Sequence, residues 1–340
     1  MQFMKHLTVA ALAAGMAMSV MQVRAADSYK IDISLETGPN HVRNKAMNTW
    51  AEYLQDKSAG RLKVRVFHGA SKYKGSNVPK ALGQGALDMG APGHWHLGKY
   101  VADFGLLFLP AFYGASREQI YAVMDGPIGK ELNAKIEKKL KVKVIGRHFD
   151  LGYGTMFFTK KAVTSHKDIS GLKMRVPGGA ANLRRFETFD ASAIKVSWPD
   201  VPQALQRGMV DGVLTTYESV RSAKLWDSGL RHSFDDYQAY FQYVPMMSLK
   251  AWNRLPKDLQ DLVVTSWEEQ VDPNRKTAEM RQASAKAAGV SHGIKTNAAS
   301  AAGLAAMRAK LLMVQPGIIE ALRMDVDFVA RAQAAVDKVK

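Results

Sequence analysis

Arg175 stands near the end of the phrase Gly171-Leu172-Lys173-Met174-Arg175-Val176-Pro177-Gly178. The phrase reads as a short strand that presents one arginine and stops at Pro177 and Gly178. In open α/β sheets ligands gather beyond the carboxyl ends of the strands, where such an arginine would face them. Its planar fork matches a carboxylate through two parallel hydrogen bonds. On residue type alone, the position reads as an anion clamp or as a surface arginine on a strand edge. A second set, His94-Trp95-His96, follows the strand exit Gly90-Ala91-Pro92-Gly93. There a histidine would donate to a ligand oxygen and Trp95 would stack on the ligand, unless the loop simply packs. Two histidines two apart also raise a metal, but no acidic or histidine partner lies at helical spacing and no His-Glu-x-x-His motif occurs. The stretch His148–Phe158 offers Asp150, Tyr153, Met156, Phe157 and Phe158, alternate members being expected toward a cleft and toward the core. Tyr217 and Glu218, just after Thr215, read as rim residues, and His41 reads as a helix-start residue.

The elements that would carry these residues alternate. Tyr29, Ile31, Ile33 and Leu35 recur at period two, a strand. Val42, Ala46, Met47, Trp50, Ala51 and Leu54 recur at helical spacing, ended by Ser58-Ala59-Gly60, and Leu62, Val64 and Val66 alternate again. Strand–helix–strand implies a parallel, right-handed crossover. An internal echo follows. Leu62–Val66 matches Leu172–Val176, and Ala81–Asp88 matches Ala204–Asp211, which reads as a helix end, a glycine turn and a strand start. Two matches in the same order suggest two similarly built α/β lobes. Val142–Ile145 and Thr155–Thr159 read as strands, and Tyr237–Leu249 as an extended stretch interrupted by Pro245. Leu255-Pro256 opens a helix with Leu259, Leu262, Val263, Trp267 and Val271 on one face, which Pro273 could bend and Ala278–Ala288 continues. Ala298–Lys340 reads as helices broken near Pro316-Gly317.

The chain has 340 residues, 47% of them hydrophobic and 23% charged, an ordinary globular composition for two domains or one large one. Lys5 and His6, then apolar Leu7–Val20, then Val23-Arg24-Ala25 read as a secretory leader cut after Ala25. The apolar run is shorter than a membrane span needs. There is no cysteine, so neither a disulfide nor a lipid-attachment thiol is available. The formal charge is +16; Lys5 and Arg24 leave with the leader, so a chain cut there keeps +14. Such a field attracts anions. The basic residues are scattered without an arginine-rich run, which argues against nucleic acid.

Taken together, the phrases Asp168–Pro177 and Ala204–Gly212 resemble the dicarboxylate-binding-protein (DctP) family, the solute receptors of tripartite ATP-independent periplasmic (TRAP) transporters. The likeness continues through Ser58–Val64, Gly85–Gly90, Leu107–Phe112, Val244–Met247, Trp252 and Leu255-Pro256. It implies a two-lobed α/β periplasmic binding protein, type II-like, with a cleft between lobes and a long helix across both. The expected division is residues 1–25 as leader, 26–150 with about 240–275 as lobe I, and 151–239 with about 276–340 as lobe II. The resemblance implies that Arg175 grips a ligand carboxylate and that Trp198 lays a ring against the ligand. Thr215 takes the place where sialic-acid-binding members carry an asparagine. A second departure falls at Gly154–Phe157, where two-arginine members place another arginine and this chain has apolar Met156 and Phe157. Both departures argue against a sialic acid.

The expected ligand-contact set is Arg175, Trp198, Thr215, His94, Trp95, Tyr153, Met156 and Tyr217. Four aromatic rings with one arginine favour a monocarboxylate, aromatic or hydroxylated. The expected function is capture of a small organic carboxylate and its delivery to TRAP membrane permease subunits, by a monomer, in the periplasm. No cofactor or metal is called for. The alternatives are a ligand sensor for a membrane histidine kinase and an exported enzyme. Against the enzyme, no Gly-x-Ser-x-Gly elbow, Ser-x-x-Lys box or phosphate-binding loop occurs.

Overall fold

The computed structural model describes residues 27–339, so the leader and its cleavage site lie outside the described residues. Two sheets organise the molecule. The first has the order β2-β1-β3-β12-β4, formed by β1 (Tyr29–Ser34), β2 (Leu62–Phe67), β3 (Met89–Gly90), β4 (Val142–Val144) and β12 (Met246–Ser248). Strand β1 runs parallel to both β2 and β3, while β12 is antiparallel to β3 and β4. The period-two pattern of β1 places Ile31 and Ile33 in the core, each at most 1% exposed. The second sheet has the order β13-β10-β6-β9-β7-β8, formed by β6 (Thr155–Phe158), β7 (Lys173–Val176), β8 (Ser192–Lys195), β9 (Gly212–Thr215), β10 (His232–Asp235) and β13 (Lys295–Ala298). Here β7 is parallel to β8 and β9, and β6 is antiparallel to β9 and β10. A two-stranded ribbon of β5 (Phe149–Tyr153) and β11 (Tyr240–Tyr243) lies in the chain between the two sheets. Pro245, expected to interrupt one extended stretch, sits between β11 of the ribbon and β12 of the first sheet. It marks the point where the chain changes sheets.

The orders β2-β1-β3-β12-β4 and β8-β7-β9-β6-β10 superpose element for element, parallel strands on parallel and antiparallel on antiparallel. The two lobes are therefore built alike, and the echo is half in register. Its second match is equivalent in both lobes: α2 (Val78–Gly83) leads through Gly85 into β3, and α7 (Val201–Gln206) leads through Gly208 into β9. The identity extends upstream, since Val78-Pro79-Lys80-Ala81-Leu82 answers Val201-Pro202-Gln203-Ala204-Leu205. The first match is not equivalent. It pairs β2, an edge strand, with β7, whose counterpart is β1.

Helices cover the sheets. The first lobe carries α1 (Val42–Lys57), α2, α3 (His94–Leu97), α4 (Arg117–Met124) and α5 (Pro127–Leu140). The second carries α6 (Ala180–Glu187), α7 and α8 (Tyr217–Ser222). After the short α9 (Leu249–Asn253), α10 (Lys257–Ser291) runs 35 residues through Pro273 without a break. It packs on α1, on β5 and on α8, and so touches both lobes and the ribbon. The C-terminal helices are α11 (Ala301–Leu322) and α12 (Val326–Asp337). The expected break near Pro316-Gly317 is a correction: α11 continues through Pro316 and ends at Arg323, which adopts φ 55°. There the Arg323 and Met324 N–H groups return to Glu320 and Ile319, a closing motif that satisfies the last carbonyls. The tail assigned to lobe II also divides. Helix α11 touches α6 and the first-lobe turn Pro110–Phe112, while α12 packs on α4 and α5 of lobe I.

Candidate ligand-binding site

A cavity with about 340 Å³ of empty space opens beyond the carboxyl ends of β1, β3, β7 and β9. The first lobe contributes Glu36, Thr37 and Trp95, and the second contributes Arg175, Pro177, Trp198, Leu214, Thr215 and Ser219. The ribbon closes it with Leu151, Phe241 and Tyr243.

Arg175 sits in the interior strand β7, opposite Ile194 of β8 and Val213 of β9. It is 2% exposed. Its Nε donates to the Val196 carbonyl at 3.0 Å and its Nη1 to the Leu214 carbonyl at 3.3 Å. Those bonds fix the plane of the guanidinium and leave Nη2 without a protein acceptor among the described residues. Burial draws its pKa down to about 10, opposed by the charge of Glu36 and by Tyr243. It therefore stays protonated at neutral pH. The guanidinium carbon lies 5.5 Å from the centroid of the Trp198 ring.

Trp95 packs edge-on to Phe241 at 5.1 Å and to Tyr243 at 5.5 Å. Gly93 makes room for it, since a Cβ there would collide with the indole. The indole N–H has no protein acceptor among the described residues, so it is a spare donor in a residue that lines the cavity.

Behind this wall stands Arg43, which donates to Ala91 O at 3.0 Å and Thr37 Oγ1 at 2.8 Å and stacks on Tyr243 at 4.2 Å. His96 is buried, and that burial pulls its pKa down to about 4, so it is neutral at pH 7. The arrangement is an aromatic-walled chamber with one clamp arginine. It suits a small anion.

Comparison with known proteins identifies the family. The family model for bacterial extracellular solute-binding protein, family 7 (DctP), matches residues 33–318. The chain belongs to this family. It is similar to a solute-binding protein of Chromohalobacter salexigens, 27% identical over 186 residues that make up 54% of each chain. It is likewise similar to the C4-dicarboxylate-binding periplasmic protein DctP of Rhodobacter capsulatus, 27% identical over 74% of each. Its fold matches that of the sugar acid binding protein DctPAm of Advenella mimigardefordensis in complex with galactonate. That match has a TM-score of 0.87 at 19% identity, covering 92% of this chain and 99% of that one.

Of the residues expected from the sequence of this family 7 member, the cavity gathers Arg175, Trp198, Thr215 and Trp95. The other four lie elsewhere. His94 turns inward: its Nε2 lies 2.9 Å from His148 Nδ1, and His148 Nε2 lies 2.8 Å from Asn133 Oδ1. Tyr153 and Tyr217 line a separate cavity with Lys286 and Glu279. There Tyr153 donates to Ala115 O, and the Tyr217 hydroxyl meets Ser233 and Asp235. Met156 is fully buried in the sheet between Leu214 and Phe234. On β5 it is Leu151 that reaches the site, while Tyr153 does not.

Sequence reasoning missed Glu36, Thr37, Ser219, Phe241 and Tyr243. The first two follow β1 directly, in the position beyond the strand end where Arg175's own phrase was sought. That signal was available in the first lobe. His41 is the N-cap of α1, its Nδ1 accepting the Arg43 N–H, and its Nε2 lies 3.2 Å from Ser219 Oγ of the second lobe. Among the described residues no group of three His, Cys, Asp or Glu side chains is arranged to hold a metal ion.

Proposed function

We propose that this family 7 protein is the periplasmic receptor of a TRAP transporter, taking a small organic acid between its lobes and handing it to the membrane permease subunits. The observation that carries the reading is Arg175: buried, protonated, held by two backbone carbonyls, and with Nη2 lacking a protein acceptor among the described residues, in a cavity walled by Trp95, Trp198, Phe241 and Tyr243. A carboxylate completes that guanidinium. The relatives add support. One carries the description C4-dicarboxylate-binding and another was solved with galactonate, both acids. The chain acts as a monomer released by cleavage after Ala25, and binding without turnover is its whole chemistry. Lobe closure around the acid excludes water, a hinge motion driven by tighter binding in the closed form.

The test is a thermal-shift and calorimetric screen of the refolded mature chain against organic acids, with Arg175→Ala beside it. A ligand at a hundred times its Kd stabilises by about 2.7 kcal/mol. We expect acids to shift the wild type, and Arg175→Ala to lose about 2–5 kcal/mol of binding. Shifts by neutral or cationic compounds alone would reject the carboxylate receptor.

A further inference from the structure

The cavity holds a second charged group that the carboxylate reading does not use. Glu36 is 6% exposed, yet among the described residues no protein donor reaches its carboxylate within hydrogen-bond distance. The nearest basic groups are Arg43 Nη2 at 4.0 Å and the neutral His96 Nε2 at 3.9 Å, both too long for a hydrogen bond. It makes no ion pair with Arg175, although both line the same space. Gly75 presses against it from behind, since a Cβ there would collide with Glu36 Oε2, so the side chain cannot withdraw toward that loop. A buried carboxylate without donors is costly, and the cost is removed only by donors that arrive from the cavity.

Resting on the carboxylate reading above, we propose that Glu36 selects a hydroxylated monocarboxylate, its oxygens accepting ligand hydroxyls while Arg175 holds the carboxylate, and that it rejects dicarboxylates. The lining carries one guanidinium, Arg175, and one carboxylate, Glu36, while Arg43 stands behind Glu36 and His96 is neutral. A single ligand carboxylate on Arg175 leaves Glu36 facing the rest of the ligand. Lys195 is exposed, so solvent screens its contribution. A second carboxylate in a cavity this small would meet Glu36 and be repelled. An ammonium group would duplicate the cation that Arg43 already provides beside Glu36. A ligand hydroxyl gives Glu36 the donor it lacks without adding charge.

The experiment titrates the refolded mature chain with three series of acids matched in carbon number from three to eight: aldonates, unsubstituted alkanoates and α,ω-dicarboxylates. The ω-amino acids serve as a fourth series. Wild type, Glu36→Gln and Arg175→Ala are compared, and circular dichroism confirms that each variant is folded. In the wild type the best aldonate should bind at least about tenfold tighter than the alkanoate and dicarboxylate of equal length. In Glu36→Gln that gap to the dicarboxylate should narrow by about tenfold or more, because the repulsion is gone. If dicarboxylates, alkanoates or amino acids bind wild type as well as aldonates do, and Arg175→Ala abolishes that binding, the role of Glu36 is overturned and the carboxylate receptor stands. If no acid binds, or if Arg175→Ala binds acids unchanged, both readings fail. The wild-type panel alone decides against the proposal even if Glu36→Gln does not fold.

Discussion

Buried histidines set the acid limit of this protein. His148 is enclosed between His94 and Asn133, and burial, reinforced by Arg275, pulls its pKa to about 3. His94 and His41 are lowered in the same way, burial first. A base whose folded pKa lies below its unfolded value resists a proton that the unfolded chain accepts. Its stabilisation is therefore complete above about pH 6.5 and is lost as pH falls toward the folded value. Buried Asp150 and Asp236 have raised pKa values and carry the opposite sign just above the ordinary carboxylate range. A whole stability curve mixes the two, so the informative quantity is a difference. Between about pH 6.5 and pH 3, wild type should lose stability faster than His148→Gln by about 1.4 kcal/mol per pH unit, one proton's worth, in urea unfolding. Equal slopes would mean that His148 is charged in the folded protein. The same scale shows what the sequence concealed. Arg175 was legible because Val-Pro-Gly marks a strand end. Glu36 stands beyond the end of β1, a position the same rule points to, but a glutamate there looks like any surface acid until the Gly75 loop and His96 pack against it. Tyr243 enters from a segment 68 positions beyond Arg175 in the chain, a contact that no local spacing encodes.

At the scale of elements, the paired turns before β3 and β9 explain why one echo was sound and the other was not. Gly85 and Gly208 adopt φ 64° and 65°, a left-handed conformation that a side chain resists, so the same residue recurs at the same step of each lobe. Turn chemistry of that kind survives in sequence. The Leu62–Val66 match survives only as a hydrophobic alternation, and alternation cannot tell an edge strand from an interior one. The long helix shows the complementary case. Its apolar face was readable from Leu259 to Val271, but passage through Pro273 depends on packing against β5 and α8 that lies outside the helix itself. The turns make a measurable pair. Around Gly208 a Cβ would meet nothing within 4 Å, so Gly208→Ala should cost only the backbone term, about 1–2 kcal/mol. At Gly85 the Cβ would also meet Lys250 Cδ at 2.9 Å, and Gly85→Ala should cost more. Equal losses in urea unfolding would show that Lys250 moves aside freely and that the backbone alone sets both.

At the scale of the whole molecule, two of the contacts that couple the lobes differ in kind. Helix α1 has no acid in its own first turn. The acid comes from the other lobe: Glu218 at the start of α8 accepts the Val42 N–H at 3.1 Å and is fully buried. Arg281 of α10 holds the same carboxylate at 2.9 Å and also donates to Asn40 O at 3.0 Å, so three segments meet on one side chain. A negative charge at a helix N-terminus is favourable and here is shielded from solvent. The second contact joins the equivalent turns of the two lobes, Lys74 to Asp200 at 2.7 Å, with both side chains about half exposed. Exposed pairs contribute about 0–1 kcal/mol, whereas removing one partner of a buried charge cluster costs several kcal/mol. If the liganded form is the closed one, these contacts are part of the affinity. Asp200→Asn should then weaken acid binding by less than about fivefold, and by less still at high salt. Glu218→Gln should weaken it by more than about tenfold and enlarge the radius of gyration measured by X-ray scattering with ligand present. A Glu218→Gln protein that closes normally would place the energy of closure in the ligand alone, with Arg175 and the ribbon residues Phe241 and Tyr243 as its anchors.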